Sequence, residues 1–364
     1  MSSEAGSSEA KRVAGLDVAR ALAILGMVTV HFQLVMTDCT PQAQWARAML
    51  GFLDGRPAAT FMVLAGMSVA MLAGKAGRTP SAQRPIGSVL RRRGIFLLAC
   101  GFINLMVWEG DILRIYGVCL LAIPSLLQVS SRALLGWGAG IVITFCIMIV
   151  FLDYGKNWDF REMHYRALCT PSGLVRSLFY DGFRSVFPWS ALVVLGLWLG
   201  RMDWREDALA WRVLRWGVLL WAGSALLSIA FRAAFHGSVG PSLSHEDVIA
   251  LFGLQSMPPL PLFLINATGV ALITIGSCTI LASRWAANYP VKALAAMGRM
   301  AFTWYVGHII FGLGGVIVLD WLRTGPGEAL CAALCFFAAA ATFSMFWLRK
   351  FRNGPMESVL RWVG

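Results

Sequence analysis

Apolar runs of about 20 residues recur along this 364-residue chain, and they constrain its fold more than any other feature. An α-helix of about 20 apolar residues crosses the hydrocarbon core of a bilayer, whereas a transmembrane strand needs about 10 residues of alternating hydrophobicity. The chain lacks that alternation, and only 14% of its residues are charged. A soluble domain averages roughly 25%. The sequence therefore predicts an all-α, polytopic membrane helical bundle.

The apolar runs predict about ten transmembrane helices, joined mostly by short links. Residues 1–12 are predicted to form a disordered cytoplasmic N-terminus, 13–350 the transmembrane bundle and 351–364 a cytoplasmic C-terminal tail. Two longer polar links are expected at 154–185 and 236–261. The predicted spans are 14–36, 55–74, 92–109, 112–129, 133–153, 186–201, 214–235, 262–283, 300–319 and 328–348.

The basic residues predict the orientation of this bundle. Of the 31 lysines and arginines, 20 fall in the segments on the side of the two termini. Cytoplasmic loops carry such an excess, so both termini are predicted to be cytoplasmic and the protein to be a multi-pass protein of the cell (inner or plasma) membrane. The net charge of +12 is therefore explained by orientation and by contacts with membrane lipids, and no nucleic-acid partner is expected.

The cysteines give no sign of a metal site. Six of the eight lie in apolar runs, and no Cys-x-x-Cys pair with histidine partners is present. Cys39 and Cys169 fall in loops predicted to lie outside, where they could form a disulfide. No metal is expected.

The first predicted helix contains ionisable groups in an otherwise apolar stretch, LDVARALAILGMVTVHF. Asp17, Arg20 and His31 lie on nearly one face, because the 11 residues from Arg20 to His31 return to within about 20° of the same direction. Such a stripe is costly against lipid, so it should face the bundle or a hydrated cavity. Two alternatives stay open: Asp17 and Arg20 as a purely structural ion pair, and His31 as a core histidine bonded to a backbone carbonyl.

Further polar residues are predicted to share an outer cavity with His31. Asp54 and Arg56 begin the second span, and WEGDILRIYG places Glu109, Asp111 and Arg114 at a tight turn. A histidine, carboxylates and arginines together suit general acid–base chemistry on an anionic substrate. Helix capping and a local Asp111–Arg114 pair are the alternative for the turn.

Two more sets of candidates lie elsewhere in the chain. His308 in FTWYVGHIIFG is expected near mid-bilayer, as a catalytic residue or as part of a helix–helix hydrogen bond, with Tyr305 as a neighbouring substrate-binding candidate. Arg91, Arg92 and Arg93 in LRRRG form a dense basic segment. It serves either topology and lipid headgroups or the phosphates of coenzyme A.

Several of these segments resemble the membrane acyltransferase superfamily. LDVARALAILGMVTVH is similar to the first helix of the acyltransferase-3 enzymes and of the heparan-alpha-glucosaminide N-acetyltransferase-like proteins. Four other segments resemble the YeiB-like branch: DGRPAATFMVLAGMSVAML, RRRGIFLLACGFINLMVWEGDILRIYGV, MGRMAFTWYVGHIIFG and the terminal RKFRNGPMESVLRWVG. The resemblance covers nearly the whole chain from residue 12.

The resemblance implies an activity and a donor. The activity is transfer of an acyl group, in the first instance acetyl, from cytoplasmic acyl-CoA to a hydroxyl or amine of a glycan, lipid or metabolite at the outer side. It implies that His31 is a general base or a transient acyl carrier, and that Arg20 lines the donor channel. Heparan-type enzymes also have a histidine in the outer loop before the second span, whereas residues 37–53 here contain none.

Two other functions are compatible with the residues alone. Intramembrane histidine, aspartate and arginine also serve a transporter of small solutes, although the chain lacks the internal repeats that are common in transporters. A non-catalytic membrane protein would result if the polar groups only pair with one another. The apolar, glycine-rich surfaces of the last two spans are suited to packing against a second copy.

Overall fold

The structure, a computed structural model, describes residues 2–37, 43–76, 85–160, 163–204, 206–236, 244–322 and 324–364. Its backbone there is mostly helical, as predicted, and it also contains one two-stranded antiparallel sheet that was not predicted. Two segments are π-helical, Ser177–Asp181 and His308–Leu313. The helices are α1 (Ser2–Met36), α2 (Gln44–Leu53), α3 (Arg56–Ala76), α4 (Ile86–Leu105), α5 (Leu113–Leu126), α6 (Ser131–Phe151), α7 (Pro171–Arg176), α8 (Val186–Gly200), α9 (Asp207–His236), α10 (His245–Phe252), α11 (Pro261–Trp285), α12 (Tyr289–Arg299), α13 (Ala301–Gly307), α14 (Gly314–Val318), α15 (Pro326–Lys350) and α16 (Pro355–Val363).

Seven helical segments of the described chain are long and apolar enough to cross a membrane. An eighth results if Pro171–Asp181 and Val186–Gly200, which meet at a 45° bend, form one broken span. The predicted spans at 92–109 and 112–129 correspond to α4, which carries three arginines in its first half, and to α5, which has only 14 residues. The protein is thus a multi-pass helical membrane protein, while the count of ten spans and the side of each terminus stay predictions.

The chain divides into two compact units. The first comprises Met1–Phe61, Asp203–Ser256 and Leu262–Val359, and the second comprises Met62–Met202, Met257–Pro261 and Leu360–Gly364. The first unit therefore holds α1, α2, α9, α10, nearly all of α11, and α12 to α15, and the second holds most of α3 and α4 to α8.

In the first unit, α1 packs closely against α12 and α15. A Cβ atom on Gly298 of α12 would lie 1.8 Å from the backbone oxygen of Asp17, so the backbones of the two helices touch at this point. Only glycine permits that approach, and close backbone contact is a common way in which membrane helices associate without a hydrophobic driving force. The contact fixes the start of the ionisable stripe of α1 against α12.

In the second unit, close backbone contacts at glycines likewise join α3 to α8. A Cβ on Gly66 would lie 2.1 Å from the oxygen of Val193, and a Cβ on Gly196 would lie 2.1 Å from the oxygen of Val63. These reciprocal contacts hold the two helices at backbone distance. They leave the other face of α8 to pack against α6.

The link predicted at 154–185 is partly ordered into secondary structure. Strands β1 (Trp158–Asp159) and β2 (His164–Tyr165) pair antiparallel, with Trp158 opposite Tyr165. An aromatic cluster that includes Phe145, Tyr154 and Tyr180 then packs this link onto the end of α6.

Candidate functional site

The two histidines singled out within the predicted spans form a hydrogen-bonded pair in the first unit. Nδ1 of His31, on α1, lies 2.9 Å from Nε2 of His308, where the π-helical segment begins. Both side chains are buried: His31 is 8% exposed and His308 is 0% exposed. The hydrogen bond brings these two sequence candidates together at one point of the bundle.

The segment that leads to His308 is not one continuous helix. The helix breaks at Met300, whose backbone (φ −106°, ψ 29°) is not helical, and the π-helical turn starting at His308 shifts the register again. Short π-helical turns within α-helices are often found at functional sites.

A second hydrogen bond determines which ring nitrogens carry protons. Nδ1 of His308 lies 3.3 Å from the carbonyl oxygen of Trp304. A carbonyl can only accept, so His308 Nδ1 donates there, and in a neutral ring its Nε2 must then accept. It follows that His31 donates through Nδ1 and that Nε2 of His31 is the acceptor nitrogen of its ring. A base of this kind, fixed in one tautomer by a second group, is the arrangement that general-base catalysis needs.

Tyr305 also lies at the histidine pair. Its ring meets the ring of His308 edge-to-face at a centroid distance of 5.6 Å, and the side chain is 4% exposed. Tyr305 thus packs against the histidine that orients His31.

Near the other end of α1, Asp17 and Arg20 form the ion pair that the sequence allows. Arg299, at the end of α12, lies close enough for its charge to act on Asp17 as well. The cluster therefore has two arginines and one carboxylate, and it keeps a net positive charge. The side chain of Arg20 is 22% exposed, so the cluster is partly accessible.

Asp54 and Arg56 lie in the first unit, where they bond to α2, to α11 and to the link before α11. Asp54 accepts hydrogen bonds from the hydroxyl of Ser256 at 2.7 Å and from its backbone nitrogen at 3.3 Å. Arg56 donates through Nε to Asn266 at 3.0 Å and through Nη1 to the carbonyl of Gly51 at 3.0 Å. These bonds fix the start of α3, and the group bonded to His31 Nδ1 is His308.

Glu109, Asp111 and Arg114 belong to the second unit, so a cavity shared with His31 stays a prediction. Asp111 accepts from the backbone nitrogen of Arg114 at 3.0 Å and from the side-chain amide of Asn104 at 2.9 Å. Asp111 and Arg114 are 0% and 2% exposed, with the guanidinium Nε 3.8 Å from the carboxylate. The capping and local ion pair predicted as the alternative are therefore present.

Glu109 holds the small sheet in place. One carboxylate oxygen lies 2.5 Å from Nδ1 of His164, and the other accepts from the backbone nitrogen of Tyr165 at 2.9 Å. No residue pattern near Glu109 predicts this partnership, because the contact is with a residue 55 positions away.

The link at 154–185 also contains a polar network that was not predicted from the sequence. Asp181, 0% exposed, accepts from the hydroxyl of Tyr165 at 2.7 Å and from the guanidinium of Arg176. Burial, reinforced by the hydrogen bond to Asp181, raises the pKa of the Tyr165 hydroxyl above its usual range. The network ties the π-helical turn to the sheet.

The basic segment of α4 offers positive charge to an anionic ligand. Arg91 and Arg92 are exposed, and Arg93 is half-buried. The Nε of Arg93 is buried and has no hydrogen-bond acceptor within the described residues. Arg361, near the end of the chain, lies close enough for its charge to act on Arg93. A half-buried guanidinium with an unused donor beside a like charge is suited to binding an anion such as a phosphate.

Two further predictions concern metal binding and a disulfide. Within the described residues, no group of three or more His, Cys, Asp or Glu side chains could hold a metal ion. Cys39 lies outside the described residues and Cys169 is exposed, so their disulfide is untested.

Comparison with known proteins places the two histidines in different matched segments. The family model described as "Heparan-alpha-glucosaminide N-acetyltransferase, catalytic" matches residues 12–230, which include His31. The model "Protein of unknown function (DUF418)" matches residues 199–364, which include His308.

Three similar bacterial proteins align over nearly their whole length. They are the uncharacterized protein YxaH of Bacillus subtilis (22% identical, 96% of this chain and 94% of the relative), an uncharacterized 39.9 kDa protein from the amylase 3′ region of Bacillus acidopullulyticus (23%, 96% and 93%) and the uncharacterized protein YeiB of Escherichia coli (25%, 95% and 94%). They confirm the YeiB-like resemblance, while the relation to acyltransferase-3 enzymes stays a prediction. Because the first family model matches more than half of the chain, the chain belongs to the heparan-alpha-glucosaminide N-acetyltransferase-like family, in its YeiB-like branch.

Proposed function

We propose that this protein is an acyl-CoA-dependent membrane acyltransferase that transfers an acetyl group to a hydroxyl or amine of a glycan, lipid or metabolite. The observation that carries the proposal is the buried bond between His31 and His308, which leaves His31 Nε2 as an acceptor nitrogen. The family to which the chain belongs is described by an N-acetyltransferase activity, and this supports acetyl as the transferred group.

His31 acts as the general base in this proposal. Its Nε2 takes the proton from the acceptor hydroxyl or amine while that oxygen or nitrogen bonds to the acyl carbon and the carbon–sulfur bond breaks. The same nitrogen then gives the proton to the departing thiolate, so His31 ends the reaction as it began. General acid–base catalysis of this kind contributes about 10²- to 10⁴-fold in rate.

His308 is a positioning residue. Its Nε2 accepts the Nδ1 proton of His31, and its own Nδ1 is held by the carbonyl of Trp304. A neutral hydrogen bond contributes about 0.5–1.5 kcal/mol, and about 1.4 kcal/mol corresponds to tenfold in rate. Loss of His308 therefore lowers kcat/KM by up to about tenfold through orientation alone.

The basic residues would hold the donor. Bound acyl-CoA supplies a thioester, the activated form of the acyl group. Arg91, Arg92 and Arg93 belong to the second unit, so their binding of its phosphates stays a separate prediction. The net positive cluster of Asp17, Arg20 and Arg299 would favour an anionic donor along α1. We assign the protein to the cell membrane, with these arginines on the cytoplasmic side where acyl-CoA is made.

The proposal is tested with the purified full chain in proteoliposomes. Acetyl-CoA is added with an α-linked glucosaminide as the amine probe and a glycerol-containing lipid as the hydroxyl probe, and acetylated product and released thiol are measured. His31→Asn is the informative variant, because the amide nitrogen of asparagine can still donate to His308 but asparagine is not a base. We expect the protein to fold and product formation to fall at least 100-fold.

The controls separate catalysis from folding. His308→Gln keeps an oxygen able to accept from His31 and should retain more activity than His308→Ala. His164→Ala removes an exposed loop histidine and should be fully active. Wild-type protein that forms no acetylated product with either probe would contradict the proposal, and so would full activity in His31→Asn.

A further inference from the structure

A groove in the second unit lies outside the site described above. It is formed by α5, α6 and α8, opens at the surface of the unit and has a volume of about 850 Å³. Binding sites for small molecules typically measure roughly 300–1,000 Å³, so the groove is large enough for a ligand.

The lining of the groove is apolar. It contains no charged side chain, and its surfaces come mainly from aliphatic residues, glycines and the rings of Trp137 and Phe187. Two of its hydroxyls are bonded within their own helices: Ser125 donates to the carbonyl of Ala122 at 2.6 Å, and Thr144 donates to that of Gly140 at 2.8 Å. A ligand here would meet hydrocarbon and few free polar groups, which suits an alkyl chain.

The length of the groove matches one leaflet of a bilayer. Along α6 the lining runs from Ala133 to Thr144. A rise of 1.5 Å per residue makes this about 16 Å. The hydrocarbon core of a bilayer is about 30 Å thick, so the groove extends over about half of it, starting at the end where α5 turns into α6.

Two arginines lie at that end of the groove. Arg132 is the second residue of α6 and is exposed. Arg201, directly after α8, donates to the carbonyls of Leu127 at 2.9 Å and Leu126 at 3.0 Å, which holds its guanidinium at the α5–α6 turn. An apolar groove with positive charge at one mouth complements a molecule with an alkyl chain and an anionic head.

We propose that the groove binds one acyl chain of an anionic phospholipid whose phosphate lies against Arg132 and Arg201. The positive charge selects an anionic lipid over a zwitterionic one. The groove is on the side that the distribution of arginines predicts to be cytoplasmic, and the lipid belongs to that leaflet. The inference does not depend on the proposed catalytic activity.

The glycines of α6 provide a selective test. A Cβ added to Gly136 or Gly140 would meet nothing within 4 Å, so a large side chain at either position can enter the groove without displacing a helix. Gly140→Trp fills the groove, and Gly136→Leu does so independently. Ala139→Trp is the matched control, because Ala139 is the adjacent exposed residue and does not line the groove.

The full chain is reconstituted with an equimolar mixture of phosphatidylglycerol and phosphatidylcholine, extracted into mild detergent, and examined by native mass spectrometry. We expect wild type and Ala139→Trp to retain one phosphatidylglycerol molecule, and Gly140→Trp and Gly136→Leu to retain at least tenfold less. Arg132→Gln should retain the two lipids about equally. Equal retention in Gly140→Trp and Ala139→Trp would overturn the proposal, as would wild type that retains no lipid or prefers phosphatidylcholine.

Discussion

Replacing Glu357 by alanine should loosen the start of α13, the helix that leads into His308. The Glu357 carboxylate comes from α16, near the end of the chain, and accepts from the backbone nitrogens of Phe302 at 2.7 Å and Thr303 at 3.1 Å. Its second oxygen accepts from the Thr303 hydroxyl at 2.5 Å. Because Met300 interrupts the helix, these two amides of the first turn lack helical acceptors, and Glu357 is the group that satisfies them.

The contacts set the size of the effect. Loss of a helix N-cap costs about 0.5–2 kcal/mol, and a hydrogen bond to a charged group contributes about 1.5–3 kcal/mol. Water reaches the half-buried carboxylate and can replace part of the lost hydrogen bonding. Adding the free energies of all three hydrogen bonds would therefore overestimate the loss of stability. We expect the local opening free energy of the first turn of α13 to fall by about 2 kcal/mol, a factor of about 30 in the opening equilibrium.

Hydrogen exchange followed by mass spectrometry measures this opening directly. Peptides that cover the start of α13 should exchange about 30-fold faster in Glu357→Ala than in wild type, and Glu357→Gln should lie between them. Glu328→Ala, at the first turn of α15, serves as the control and should leave these peptides unchanged. Unaltered exchange at Phe302 and Thr303 in Glu357→Ala would refute the capping role.

Two other substitutions test the packing and the loop network. Gly298→Ala should destabilise the protein by about 1–3 kcal/mol, because the new Cβ meets the Asp17 backbone; thermal unfolding in detergent checks this, and Gly315→Ala, which meets nothing within 4 Å, should not destabilise. Tyr165 has a raised pKa in the folded state, so its hydroxyl contributes stability that is complete below its unfolded pKa of about 10 and is lost as pH rises through the folded value. Tyr165→Phe should therefore be less stable than wild type at pH 8, and the difference should shrink at strongly alkaline pH; a difference that grows there would contradict this sign.

The membrane helices could be predicted from the sequence because the bilayer imposes their length. The predicted span 14–36 ends with α1 at Met36, and the predicted span 214–235 ends one residue before the last residue of α9. The Asp111 cap and its ion pair with Arg114 were also within reach, since partners three residues apart on a helix are local by geometry.

The histidine pair could not be predicted in the same way. His31 and His308 are 277 residues apart, and their meeting depends on the break at Met300 and on a π-helical turn that no local residue pattern encodes. Glu357 was missed for a related reason, because a carboxylate from one helix caps another 54 residues away. Contacts of this kind follow from tertiary packing and not from local propensity.

The most direct test of the account is the protonation of the two histidine rings, measured by nitrogen NMR on the full chain with labelled histidine in lipid nanodiscs. The account predicts that His31 and His308 are each protonated at Nδ1, with an acceptor Nε2, and that His308→Gln leaves the His31 tautomer unchanged. A His31 ring protonated at Nε2 would contradict it, because the nitrogen proposed to accept the substrate proton would already carry one.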